Sequence, residues 1–248
     1  MRTQASHDLA APEVTLRIPG TWSGPEELIE RLPRGCSATA EALVLVDGST
    51  FELHALRADE EFPRIFAGSC PKLPTEDERE RIETYQVNLC LTGRGGSIAA
   101  ARQLMAAAAA VLVAGGAGVF VDNSGIAHGA TDWLALLDDA DDGGVYWAFV
   151  NTVQTDEELY SVGMHVLGFR DAVIPAAGNE EYDCRALHSF LGYTALSGVT
   201  LEDGDVVGDT VLPTYHVHAQ ADDRFSADTP MFNRYGRWRL VPVDEERN

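Results

Sequence analysis

The stretch from Leu89 to Ser97, Leu-Cys-Leu-Thr-Gly-Arg-Gly-Gly-Ser, where a predicted strand meets the longest predicted helix, is the strongest candidate for chemistry. Backbone N–H groups at a helix start point outward and attract anions, glycines let an anion approach the chain, and Arg94 supplies a countercharge. Gly93, Arg94, Gly95, Gly96 and Ser97 are therefore the candidate anion-binding residues. The segment matches neither the GxxxxGK[ST] loop nor the GxGxxG spacing of nucleotide-binding turns. The plainer reading, a tight turn with Ser97 as helix N-cap, is favoured.

Four other groupings carry weaker chemistry. Ser124 and His128 could pair as nucleophile and base with Asp122 orienting the imidazole, but GxSxG is absent and loop capping by Asn123 and Ser124 is preferred. His216 and His218 share one face of a predicted strand with Asp205, Asp209, Asp222 and Asp223 close in sequence, which makes them weak metal candidates beside the reading of an exposed pair. Asp203-Gly204-Asp205 lacks the spacing of a calcium loop and reads as a turn. Cys184 and His188, at i and i+4 of a predicted helix, read as a buried thiol beside a half-buried imidazole. No resident cofactor and no catalytic residue is assigned.

These residues are positioned by a chain whose pattern is that of an α+β protein. Residues 14–18 alternate as a strand, Pro25 opens a helix through Leu32, and residues 42–46 and 50–56 flank Asp47-Gly48 as a hairpin. A helix over residues 60–68, a surface connection over 71–81 and a strand over 85–91 complete the order β-α-β-β-α-β, the ferredoxin-like arrangement, across residues 14–91. Residues 92–243 form a mixed α/β second half sharing the core: helices over 97–113, 131–138 and 182–196, and strands over 119–121, 146–153, 169–174, 206–211, 216–219 and 238–243. The expected architecture is a two-layer sandwich. Residues 1–13 and 244–248 read as loose ends.

Composition bounds the partners. Against 39 acidic residues stand 18 lysines and arginines, a formal charge of −21, which repels phosphate backbones and anionic membrane surfaces. No nucleic-acid or membrane partner is expected. The alanine-rich run from Met105 to Val121 is broken by Gly115, Gly116 and Gly118 and is too weakly apolar to span a bilayer. Four widely spaced cysteines and no export signal at the N-terminus predict free thiols in the cytoplasm.

Several ordered segments resemble a bacterial family, domain of unknown function 4261. They are Ile18-Pro19-Gly20-Thr21-Trp22, the helix after Gly96, Tyr146-Trp147-Ala148-Phe149-Val150, the run from Tyr160 to Asp171, and Leu201 to Gly208. Asp171 stands where the family usually has Glu, and Val206-Val207 where it has Thr-Ile. The resemblance implies an uncharacterised bacterial protein and supplies no catalytic residues. Gly163, Gly168 and Gly204 in these segments are expected to serve turns.

The function expected from all this is a non-enzymatic acidic module that binds a basic protein partner, in the manner of an immunity protein or inhibitor. The alternatives are an enzyme or small-anion-binding protein using the Gly93–Ser97 loop and a metal-dependent hydrolase using His216 and His218.

Overall fold

A computed structural model describes residues 10–139, 142–208 and 214–243. The class is α+β, with strands gathered into a seven-stranded and a six-stranded sheet.

The alternating Val14, Leu16 and Ile18 are fully buried along β1 (Glu13–Gly20), as a period of two requires of a strand with one face on a core. Helix α1 (Pro25–Arg31) begins at the predicted Pro25. A two-residue strand, β2 (Ser37–Ala38), leads into the predicted hairpin of β3 (Ala42–Val44) and β4 (Thr50–Arg57). Then come α2 (Phe62–Gly68), α3 (Glu76–Glu83) and β5 (Val87–Arg94). Helix α3 starts inside the stretch expected to be a surface connection. Thr75-x-x-Glu78 forms a full capping box there, each side chain accepting from the other's backbone N–H, a four-residue signal that was legible in the sequence.

The ferredoxin-like expectation is corrected by the register. That arrangement sets the first strand between the third and the last. Here β5 lies between β4 and β1, antiparallel to both, and β1 continues into β6 (Gly118–Val121) and β7 (Ile126–Gly129). Both faces of β5 were apolar enough for a central place, and that property does not say which strands flank it. The sheet therefore crosses the boundary drawn at residue 91.

Between β5 and β6, α4 (Ile98–Val113) is buried nearly all round, from Ala101 to Leu112. Its alanines let it lie close against β1, β5 and the helices that follow, α5 (Ala130–Asp138) and α6 (Gly143–Phe149). The run from Tyr146 to Val153, expected as one strand, is instead the end of α6 followed by β8 (Asn151–Gln154). Val145, Tyr146, Ala148 and Phe149 are buried while Trp147 is 47% exposed. That is helical spacing, hidden in the sequence because β-prone aromatics filled it.

The second sheet holds β8, β9 (Glu158–Val162), β10 (Asp171–Pro175), β11 (Val206–Val207), β12 (Tyr215–Gln220) and β13 (Arg237–Pro242), in the order β11-β12-β13-β10-β9-β8. A 3-10 turn, Met164–Leu167, joins β9 to β10, and α7 (Glu180–Leu196) packs on both strands. The expected strand over residues 206–211 is seen at Val206–Val207; residues 209–213, with Asp209, lie outside the described residues, as do 1–9 and 244–248. Gly163 and Gly168 bracket the 3-10 turn with φ of +111° and +91°, the left-handed backbone that favours glycine. One hydrophobic cluster runs from Val14 and Leu16 of the first sheet through α4, α6 and α7 to Leu240 of the second, so both halves share a core.

Candidate functional site

The Gly93–Ser97 loop is where the sequence places it, between β5 and α4, but its Gly95 and Gly96 N–H groups are already engaged. Gly95 N–H donates to the Pro12 carbonyl (2.8 Å), Gly96 N–H to the Val166 carbonyl (2.8 Å), and Ala100 N–H to Ser97 Oγ (3.1 Å). A Cβ on Gly95 would lie 2.7 Å from Val14 Cγ2 and 3.0 Å from the Val166 carbonyl oxygen. The glycines thus permit close packing of the loop on the 3-10 turn, Ser97 caps α4, and Arg94 is exposed at the strand end opposite Glu13. This is the turn-and-cap arrangement.

The other predicted groupings do not converge. Asp122 is turned toward Arg17, 2.7 Å away, whereas His128 lies on β7 and its Nδ1 sits 2.8 Å from Asp132 Oδ2. Ser124, Asp122 and His128 therefore form no triad. His188 Nδ1 pairs with the Tyr146 hydroxyl at 2.7 Å, and Cys184 has its thiol pushed up by burial and by Glu180 and Asp183, the reverse of an activated thiolate. His216 and His218 stack with centroids 6.4 Å apart on β12, with His218 Nδ1 3.9 Å from Asp203. Among the described residues no group of three or more His, Cys, Asp or Glu could hold a metal ion. Asp203 and Asp205 accept backbone N–H groups of Ala219 and Glu202, so the Asp-Gly-Asp segment is a closed turn.

What the tertiary structure does assemble is a cavity of about 390 Å³ between the end of α7 and the starts of β10 and β13. Phe169, Arg170, Thr194, Arg234, Tyr235 and Trp238 stand in its wall. The parallel pairing of β10 with β13, Asp171 opposite Arg237 and Ala172 opposite Trp238, brings Arg170 and Trp238 together. The Arg170 guanidinium carbon lies 4.9 Å from the centre of the Trp238 ring, within cation–π range. Its Nη1 makes one long hydrogen bond, 3.4 Å, to the Gln220 carbonyl, and Arg234 donates to the Ala10 carbonyl. Neither guanidinium is ion-paired to a carboxylate among the described residues, in a chain where acids outnumber bases two to one. Burial lowers the Arg170 pKa, with Asp203 acting the other way, so its charge is partly stripped of water.

A neighbouring hollow of about 370 Å³ shares Arg170, Arg234 and Tyr235, and another of about 210 Å³ shares Arg234 and ends on Asn123 and His165. Here the return segment 221–236 is pinned by buried polar groups. Asn123 Nδ2 donates to the Glu13 and Pro230 carbonyls (2.9 and 3.0 Å), and its Oδ1 accepts from Thr15 N–H (3.1 Å). His165 Nε2 donates to the Pro230 carbonyl (3.0 Å) while Nδ1 is buried without a partner among the described residues. Deep burial drives the His165 pKa down to about 4, with Arg234 also lowering it and the Pro230 hydrogen bond and Asp222 opposing, so the ring is neutral near pH 7. Asn233 Nδ2 donates to Asp171, which also accepts from Ser161 Oγ (2.8 Å) and Met164 N–H (3.3 Å).

Arg170 and Arg234 are single arginines in loops and carry no motif that marks them in the sequence. The one available signal was Phe169-Arg170 leading into a strand and Arg234-Tyr235 leading into another. Compared with protein-family models, curated proteins and solved structures, the chain matches none. No helix among the described residues is long and apolar enough to cross a membrane.

Proposed function

We propose that the protein binds a small anionic molecule with a planar or apolar body in the Arg170–Arg234 cavity. The observation that carries this reading is Arg170: half-buried, stacked on Trp238, without a carboxylate partner among the described residues, and facing a cavity of about 390 Å³ that Arg234 also lines. A partly desolvated guanidinium gains more from an anion than an exposed one, and its planar fork suits a carboxylate or phosphate. Trp238, Phe169 and Leu201 offer apolar faces to the rest of such a ligand, and the Thr200 and Tyr235 hydroxyls offer hydrogen bonds. This is the anion-binding alternative expected from the sequence, moved from the Gly93–Ser97 loop to a different place.

Thermal-shift titration with inorganic phosphate, benzoate and a nucleoside monophosphate, at constant ionic strength, tests it. At least one should raise Tm in a saturable way, and Arg170→Ala should remove the effect. Stabilisation that survives in Arg170→Ala, or none from any of the three, overturns the reading.

The formal charge of −21 supports a second reading, docking of a basic protein partner on the acidic surface. Its signature is binding that falls steeply with salt and is indifferent to Arg170→Ala. The resemblance to domain of unknown function 4261 rests on its sequence motifs and adds no substrate to either reading.

A further inference from the structure

A separate cavity of about 230 Å³ opens between α1 and the β4–β5 face of the first sheet. Trp22 and Leu28 form one wall, Leu53 and Leu89 the other, and the small side chains of Ala38 and Ala55 leave it open at the rim. Among the described residues no charged side chain lines it. Its side-chain polar groups already have partners: Trp22 Nε1 donates to the Ala114 carbonyl (2.8 Å), and Thr39 Oγ accepts from Ala42 N–H (3.1 Å). Water in it meets few polar neighbours and is poorly held, so an apolar body that displaces it gains free energy. Volume and lining together select the occupant: neutral, because no countercharge lines the space, apolar, because the lining side chains other than Trp22 and Thr39 are all hydrocarbon or glycine, and about two fused rings in size.

We propose that this cavity is a binding site for a neutral apolar small molecule, independent of the Arg170 site. Burying such a ligand removes water from both surfaces without desolvating a charge. Leu28 and Trp22 are held by the core, so the site exists before the ligand arrives.

The test uses naphthalene as probe and naphthalene-2-sulfonate as its charged counterpart, with Tm and the Trp22 indole N–H resonance as readouts, that resonance being assigned through Trp22→Phe. Naphthalene should raise Tm and move the Trp22 resonance, and the sulfonate should leave that resonance in place. Ala55→Leu, which fills the rim, should weaken naphthalene binding by about tenfold or more, and Arg170→Ala should leave it unchanged. Ala38→Leu, from the opposite rim, gives the same reading should Ala55→Leu fold poorly. The proposal is overturned if naphthalene neither shifts Tm nor moves Trp22, if the filled variants bind as the parent does, or if the protein self-associates through this face and the filled variants are monomeric.

Discussion

The side-chain amide of Asn233 donates to the buried carboxylate of Asp171 over 2.6 Å, joining residues 62 positions apart and fixing the return segment 221–236 to the start of β10. The same segment is held at Pro230 by His165, so two buried titratable groups anchor the strap that carries Arg234.

These two groups give opposite pH dependences. Burial raises the Asp171 pKa from 3.8 to about 7 against its hydrogen bonds from Asn233, Ser161 and Met164. The folded state then holds this proton more tightly than the unfolded chain, and the group lowers stability as pH rises between those values. His165, lowered from 6.5 to about 4, does the reverse: the fold gains stability as pH rises through that window. In urea unfolding across pH 4 to 6.5, Asp171→Asn should expose the His165 slope, a rise on the order of 3 kcal/mol. His165→Gln should expose the falling slope of Asp171. Parallel profiles for parent and both variants would refute the assignment.

Glu78 is a buried carboxylate that serves two helices. It accepts from Thr75 N–H (2.8 Å) in the α3 capping box, and from Thr131 N–H (2.6 Å) and Thr131 Oγ (2.7 Å) at the start of α5. Burial raises its pKa, but the hydrogen bonds from Thr131 and Thr75 outweigh this and the net shift is downward from 4.5. Its stabilisation is therefore complete above that value and is lost as pH falls below it. Glu78→Gln turns an amide N–H₂ toward these donors and should cost about 2–3 kcal/mol at pH 7, measured by chemical denaturation. A cost under about 0.5 kcal/mol would show that the contacts carry no weight.

The glycine loop and Arg94 should separate cleanly. Gly95→Ala forces a Cβ against Val14 and the Val166 carbonyl and should destabilise the fold by about 1–3 kcal/mol. Ser97→Ala should cost about 1 kcal/mol through the lost α4 cap. Arg94→Ala, at an exposed position, should change stability by no more than about 0.5 kcal/mol. It should also leave anion-induced stabilisation intact; loss of that effect with Arg94→Ala would return the anion site to the loop.

Three thiols should be slow to alkylate. Burial, then Asp132 and Glu78, push the Cys70 thiol up to about 12, and burial raises those of Cys90 and Cys184. In a Cys36→Ser background, iodoacetamide at pH 8 should modify the native protein far more slowly than the urea-unfolded chain. Equal rates would contradict the burial of Cys90 and the partial burial of Cys70 and Cys184.

Much of the local structure was legible because its causes are local. Alternation in Val14–Ile18, the Asp47-Gly48 turn, the Pro25 helix start and the Ser97 cap each lie within a few residues of what they determine, and each is present. The charge of −21 and the α+β class were likewise readable from the chain itself. Tyr146–Phe149 misled because a four-residue aromatic run fits both periods, and only packing of α6 on α5 decides for the helix. Strand order was beyond reach for a different reason. Whether β5 borders β1 or β4, or both, depends on contacts between residues far apart in sequence, and a strand's own pattern is the same in each case.

The candidate anion site shows the same division. A glycine-rich turn before a capped helix follows from residues 93–97 alone. That the Gly95 and Gly96 N–H groups are taken by Pro12 and Val166 depends on the folded chain, which brings in carbonyls remote in sequence. Arg170 and Arg234 carry no motif, and they meet because β10 and β13 pair in parallel across the span that holds α7, β11 and β12. A charge becomes a binding group when its neighbours strip its water and leave it unpaired, and those neighbours are chosen by the fold.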